Sequence, residues 1–213
     1  MTDLASHLVP YVLIALAGYL IGSIPTGPIV ARVYANVDLT RVGSERTGAT
    51  NAMRTLGVGA GIVVLVLDFA KGMAAVALAK AVMDNPTTEG LTWLFAVAGH
   101  VRSLFLQGRG GRGVVTGLGG LALISPIIFA AAVSSGCLVV AVTRFVSAGS
   151  LTGTMMTAIL GTAAIATNRL DLALLPFFLV APSVVVWAHT DNIKRLRNGT
   201  ERKLSGASPA ASG

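Results

Sequence analysis

The sequence predicts an all-α integral membrane protein of seven transmembrane helices, several of them short, with the N-terminus outside and the C-terminus cytoplasmic. Three observations carry that prediction. Of the 213 residues, 54% are hydrophobic and 12% charged, and a mean hydropathy of +0.76 means more apolar surface than a soluble domain of this size can hide in a core. The apolar runs are broken by polar punctuation and never alternate as barrel strands would. A helix, which satisfies its backbone hydrogen bonds internally, is then the element that can stand in lipid. The basic residues, finally, fall in alternate connections between those runs.

Taken in order, the apolar runs cover 9–33, 58–82, 91–105, 114–123, 127–142, 151–166 and 172–187. The first has no basic stretch before it and runs past signal-peptide length without a small-residue cleavage site, so it is expected to remain as a span. The second carries Asp68 and Lys71 near its middle. Ser125 and Pro126 divide the fourth from the fifth, which reads as two short helices or as one kinked helix with a short hairpin. Several runs fall below the roughly 20 residues of a square crossing. With seven spans, the connections after the odd-numbered helices hold or adjoin Arg41, Arg46, Arg54, Arg102, Arg109, Arg112, Arg144, Lys194, Arg195, Arg197, Arg202 and Lys203, against Lys80 and Arg169 opposite. That bias makes the basic side cytoplasmic, whereas six spans would put basic loops on both faces. The net charge of +7 reads as topology and attraction to anionic headgroups, with no nucleic-acid partner. Residues 1–204 form one polytopic membrane domain, and the small, polar tail 205–213 is expected to be disordered. Cys137, alone in an apolar run, has no internal disulfide partner and is read as a packing residue.

The basic connections are also rich in glycine. RVGSERTGATNAMR (41–54) follows the first run and RGGRGVVTG (109–117) follows the third. Glycines let backbone amides approach a ligand, and arginines or a helix N-terminus supply charge-matched donors to phosphate oxygens, so both read as phosphate cradles. A helix starting near Val114 would aim its first amides at an anion held by Arg109, Gly110, Gly111, Arg112 and Gly113. Neither loop has the G-x-x-x-x-G-K-[ST] pattern of a P-loop nucleoside triphosphatase. Asp68 and Lys71, three apart, share a helix face, as a structural ion pair or as part of a ligand pathway. His189 and Asn192 share a face at the membrane boundary if the last helix continues. Arg144, Ser147 and Ser150 fall on the same side, Ser150 as a candidate helix cap. There is no zinc-spaced Cys/His cluster and no G-x-S-x-G, so neither a metal nor a serine hydrolase mechanism has support.

In combination these segments resemble a known family. GSIPTGPIVAR, VGSERTGATNAMRTLG, LDFAKG, GRGGRGVVTGLG, TRFVSAGS and HTDNIKRLRNGTERK follow one another in the order seen in the bacterial acyl-phosphate:glycerol-3-phosphate acyltransferases, and the resemblance covers 22–203. It implies an inner-membrane enzyme that moves a fatty acyl group from acyl phosphate to the 1-hydroxyl of glycerol 3-phosphate, releasing lysophosphatidic acid and phosphate, with no cofactor and no metal. On that resemblance Ser44, Thr50, Asn51 and Arg54 are candidate ligand contacts. Arg109 and Arg112 stand where the family has lysines, and Ser147, His189 and Asn192 match its remaining site positions. The proton of the attacking hydroxyl would pass to His189 or to the donor's own phosphate. The chain departs from the family pattern at Glu45 and Arg46, where Gly-Asn is usual, and at Ser103, where proline is common. The expected partners are the two substrates and membrane lipid, with the chain acting as a monomer.

Two other readings start from the same residues: a transporter of a phosphorylated metabolite, which also suits interrupted helices and midmembrane charges, and a divergent paralogue with another acceptor. Against transport, the basic residues collect on one face and no inverted repeat is visible. The topology itself is testable. A tag at the N-terminus should be labelled by an impermeant reagent on intact cells, and a C-terminal tag only after lysis; the reverse labelling would overturn the assignment.

Overall fold

Helices form over the apolar runs, and most of them stop where proline, glycine or a left-handed residue leaves the backbone no further turn to make. The structure, a computed structural model, describes residues 2–204, with side chains from His7 onward. The expected disordered tail, 205–213, lies outside the described residues. Among those described there are ten α-helices and no strand: α1 (Thr2–Ser23), α2 (Thr26–Ala35), α3 (Ala49–Leu56), α4 (Val58–Val82), α5 (Pro86–Val101), α6 (Val114–Ile124), α7 (Pro126–Thr143), α8 (Val146–Ala166), α9 (Leu175–Ala188) and α10 (Thr190–Arg197).

Most breaks have a local cause. The first apolar run, expected as one helix over 9–33, is two, because Pro25 supplies no N–H and pushes the residue before it out of the helical region. Ser125 is extended (φ −153°, ψ 95°) and Pro126 opens α7 at a position where its missing N–H costs nothing, so the fourth and fifth runs are two helices. Arg144 takes a left-handed conformation (φ 63°) between α7 and α8. The last helix does not continue straight into the basic segment: it bends by 59° at His189, between α9 and α10. By length and composition four segments among the described residues can cross a bilayer, or five if α9 and α10 count together. At 16 and 11 residues, α5 and α6 fall short of the roughly 20 of a square crossing.

Helix α1 packs on α5, α4 on α6, and α7 on α8, while α9 lies against α5 and α8. At the centre Trp93 of α5 stacks at a tilt on Phe178 of α9, centroids 5.3 Å apart. Its indole Nε1–H donates to the Gly117 carbonyl of α6 at 2.8 Å, so the one polar atom of a buried aromatic is satisfied. Facing outward, Ile127, Leu138 and Val142 of α7 are 82%, 66% and 76% exposed, as lipid contact requires. Lipid supplies no hydrophobic drive between helices, so close packing at small residues carries the association. Gly72 of α4 shows this: a Cβ there would run into the carbonyl oxygen of Thr116 on α6, and one at Gly119 of α6 into that of Phe69. This crossing sets the height of α6, and therefore of the loop that precedes it. Gly72→Ala should force α4 and α6 apart and destabilise the protein by about 1–3 kcal/mol, measured as a lower unfolding midpoint in detergent.

Candidate active site

At one end of the bundle two cavities share a wall. The first, of about 200 Å³, is bordered by Ser44, Glu45, Arg46, Arg54, Arg112, Asp191, Asn192, Arg195, Glu201 and Arg202. Five arginines there face three acids, an excess of positive charge that suits a phosphate dianion. The second, of about 260 Å³, reaches inward past Thr50, Gly113, Ser147 and His189 to Asp68 and His100. Arg46, Arg54, Arg112, Asn192 and Glu201 border both. The second cavity also shares Val114, Val146 and Ser150 with an apolar groove of about 180 Å³ walled by Trp93, Val97, Leu118, Gly136, Cys137 and Gly153.

The first glycine-rich segment is shaped by Asn51, on the short helix α3, which forms inside a stretch whose composition reads as loop. Its Nδ2 donates to the carbonyls of Arg46 (2.8 Å) and Val42 (3.1 Å), and its Oδ1 accepts the Ser44 amide at 2.9 Å. With its side chain 3% exposed and used on the loop backbone, Asn51 builds the cradle from beneath, whereas Ser44, Thr50 and Arg54 line the cavities. Glu45 takes a left-handed conformation (φ 57°), which costs a non-glycine residue about 1–2 kcal/mol.

The second segment folds back on the end of α5. The Gly111 amide donates to the His100 carbonyl at 3.0 Å, and a Cβ at Gly111 would collide with the His100 ring, one at Gly110 with the His100 carbonyl. Only glycine allows this approach. Gly113 then caps α6 with φ 81°, so Val114 and Val115, the first residues of that helix, border the second cavity. Of the two arginines, Arg112 enters the site and Arg109 does not. The turn at Gly108 (φ 80°), closed by its amide on Ser103 at 2.8 Å, leaves Arg109 exposed and outside both cavities. Arg112 Nε is buried without a protein partner. Burial, with Arg46 and Arg195 adding like-charge repulsion, pushes its guanidinium down to about 10, so it stays charged at neutral pH and gains from any anion placed beside it.

Although the helix bends at His189, His189 and Asn192 reach the same cavity. His189 donates Nδ1–H to the Val185 carbonyl at 2.8 Å, which leaves Nε2 as the ring's acceptor. Burial pushes its pKa down to about 4, with repulsion from Arg112 and Arg46. Deeper in, Asp68 Oδ1 lies 2.8 Å from Lys71 Nζ and 3.4 Å from His100 Nδ1, and accepts from Thr26 at 2.5 Å. Lys71 also donates to the Ile24 carbonyl at 2.9 Å. The expected pair is therefore a buried cluster that ties α4 to α5 and to the α1–α2 break, with Asp68 and His100 at the cavity's floor.

Glu201 is a site residue that the sequence pattern does not single out. One of its oxygens accepts from Ser147 Oγ (2.8 Å) and Asn192 Nδ2 (2.7 Å), the other from Arg195 Nε (2.7 Å). Around it Arg54 donates to the Arg202 carbonyl at 3.1 Å and the Leu204 amide to the Arg144 carbonyl at 2.6 Å. Its signal in the sequence is a lone acid within the basic stretch KRLRNGTERK. Burial works to raise the Glu201 pKa, but the hydrogen bonds from Asn192, Arg195 and Ser147 outweigh it and hold the carboxyl below its ordinary value. Such a group adds stability above its unfolded pKa of roughly 4.3 and loses it as pH falls through the lower folded value. Glu201→Gln should thus lower the unfolding midpoint at neutral pH and remove part of the wild-type loss seen on acidification below about pH 4, as read by thermal unfolding across a pH series.

The glycerol-3-phosphate acyltransferase family model matches residues 12–199. A glycerol-3-phosphate acyltransferase of Thermus thermophilus is 43% identical over 189 residues, covering 89% of this chain and 92% of its own. That of Thermoanaerobacter sp. (strain X514) is 38% identical, covering 91% and 95%. Among solved structures, the crystal structure of PlsY, an integral membrane glycerol 3-phosphate acyltransferase, in its glycerol 3-phosphate form superposes with a TM-score of 0.84 at 29% identity, covering 92% of this chain and 96% of that one. Its lysophosphatidic acid form gives 0.83 at 28%. Beside the basic, glycine-built cavities, sequence and overall shape thus match along nearly the whole length, and the chain belongs to the glycerol-3-phosphate acyltransferase family.

Proposed function

We propose that this chain transfers a fatty acyl group from acyl phosphate to the 1-hydroxyl of glycerol 3-phosphate, releasing lysophosphatidic acid and inorganic phosphate. It does so as a monomer of seven crossings in the bacterial inner membrane, with its site on the cytoplasmic side. The observation that carries the reading is the buried, unpartnered Arg112 Nε at the wall shared by two arginine-lined cavities, one of which runs into an apolar groove. Two phosphates and one acyl chain are what the two substrates bring. The sidedness is supported by the origin of the cavity walls, since they come from the connections where the basic residues collect.

In this reading the acyl chain lies in the apolar groove and its phosphate enters the inner cavity, beside Arg112 and the amides that open α6. The water-soluble acceptor occupies the outer cavity, its phosphate among Arg46, Arg54, Arg112 and Arg195. The acceptor oxygen attacks the acyl carbonyl carbon, the bond from that carbon to the phosphate oxygen breaks, and phosphate leaves with the electron pair. Acyl phosphate is already activated, so positioning and charge stabilisation of the leaving phosphate supply the catalysis. An imidazole pushed down to about 4 is a poorly matched base at neutral pH. The hydroxyl proton therefore goes to the departing phosphate, and His189 orients the acceptor through Nε2. Ser147 and Asn192 act from the site wall.

Purified protein given palmitoyl phosphate and glycerol 3-phosphate in detergent or lipid mesophase should release phosphate and form lysophosphatidic acid. Arg112→Ala should cut the rate at least about a hundredfold, with Arg112→Lys retaining part of it. Uptake of glycerol 3-phosphate into liposomes without any lysophosphatidic acid would sink the enzyme reading in favour of transport.

A further inference from the structure

Arg46 borders three cavities at this end of the bundle: the two already discussed and another, of about 250 Å³, beside Arg102, Gly108, Trp187 and Thr190. Its guanidinium Nη2 lies 3.0 Å from Asp191 Oδ2, and this ion pair joins the first glycine-rich segment to the first turn of α10. The two side chains are 32% and 55% exposed, and a solvated ion pair of this kind holds its partners weakly. Each end can spare the other. The Arg46 carbonyl is fixed by Asn51 at 2.8 Å, so the backbone stays at the cavity wall whichever way the guanidinium turns. Asp191, in the first turn of α10, keeps the favourable field of that helix's N-terminus without Arg46.

From this arrangement we infer that Arg46 is an exchangeable phosphate ligand. Held on Asp191 in the structure, it turns to the phosphate of the incoming acceptor, so that Asp191 competes with substrate for one guanidinium and sets the affinity of the outer cavity. The inference rests on the acyltransfer reading for the identity of the acceptor. A phosphate dianion offers Arg46 two oxygens and more charge than one solvated carboxylate, so the exchange favours substrate. It also relieves the crowding of like charge among Arg46, Arg54 and Arg112 that the cavity walls impose.

The test uses opposite ends of one ion pair. Binding of glycerol 3-phosphate to the full-length protein in detergent is measured by calorimetry, without turnover, for wild type, Arg46→Gln, Arg46→Lys, Asp191→Asn and the Arg46→Gln/Asp191→Asn double variant. Arg46→Gln should weaken binding about tenfold, and Arg46→Lys less, because it keeps the charge but not the planar fork. Asp191→Asn should tighten binding about threefold, and the double variant should match Arg46→Gln, since Asp191 acts only through Arg46. In the turnover assay the same shifts should appear in KM for glycerol 3-phosphate more than in kcat. If Asp191→Asn weakens binding as Arg46→Gln does, the pair is merely structural and the inference falls; it falls equally if Arg46→Gln binds like wild type. Binding with this pattern but without lysophosphatidic acid formation would instead count against the acyltransfer reading and keep the assignment of Arg46.

Discussion

Guanidinium groups crowded at one end of an apolar bundle repel one another, and Glu201 is the counter-charge that lets the walls close around them. Its two oxygens take donors from Ser147 at the start of α8 and from Asn192 and Arg195 of α10, so one carboxylate ties together two elements that the membrane alone would leave free to slide. The remaining excess of positive charge is then available to substrate. A buried carboxylate with three donors is a high-stakes arrangement, since loss of the acceptor leaves those donors unpaired together. Ser147 and Asn192 are both consequences of it: each is placed at the cavity wall by the same acid.

Much of the fold was legible because lipid allows few solutions. The apolar runs marked every long helix, and 58–82 coincides with α4. What escaped were features that periodicity does not encode: the α1–α2 break, where a single proline interrupts an otherwise continuous run, and α3, eight residues lying within a polar, glycine-rich stretch. The bend at His189 was equally invisible, because no proline or glycine stands there. Composition says where a span lies, not where it turns.

The site was legible in parts for a related reason. Arg54, Arg112, Ser147, His189 and Asn192 were identifiable as charged or polar residues at the ends of apolar runs, and they do converge. Asn51 also belongs to the site, yet as the builder of its loop, a role that only the hydrogen-bond pattern reveals. Arg109 and Arg112 looked equivalent in RGGRG, but the turn at Gly108 separates them, one outward and one inward. Glu201 and Asp191 were hidden among basic residues that read as headgroup anchors. Asp191 gains its role from Arg46, which the fold brings from 145 residues away, and Glu201 from Ser147, 54 residues away, together with its near neighbours Asn192 and Arg195.

The tie between the chain's last described residues and its earlier loops has a consequence for biosynthesis. Arg54 donates to the Arg202 carbonyl, and the Leu204 amide to the Arg144 carbonyl, so earlier loops are tied to residues that follow α10 in the order of synthesis. Insertion can proceed helix by helix from the N-terminus, but the cavities cannot take their final shape before residues 191–202 have been made. A chain interrupted ahead of that segment would leave in the membrane a bundle of helices with an open, unfinished pocket.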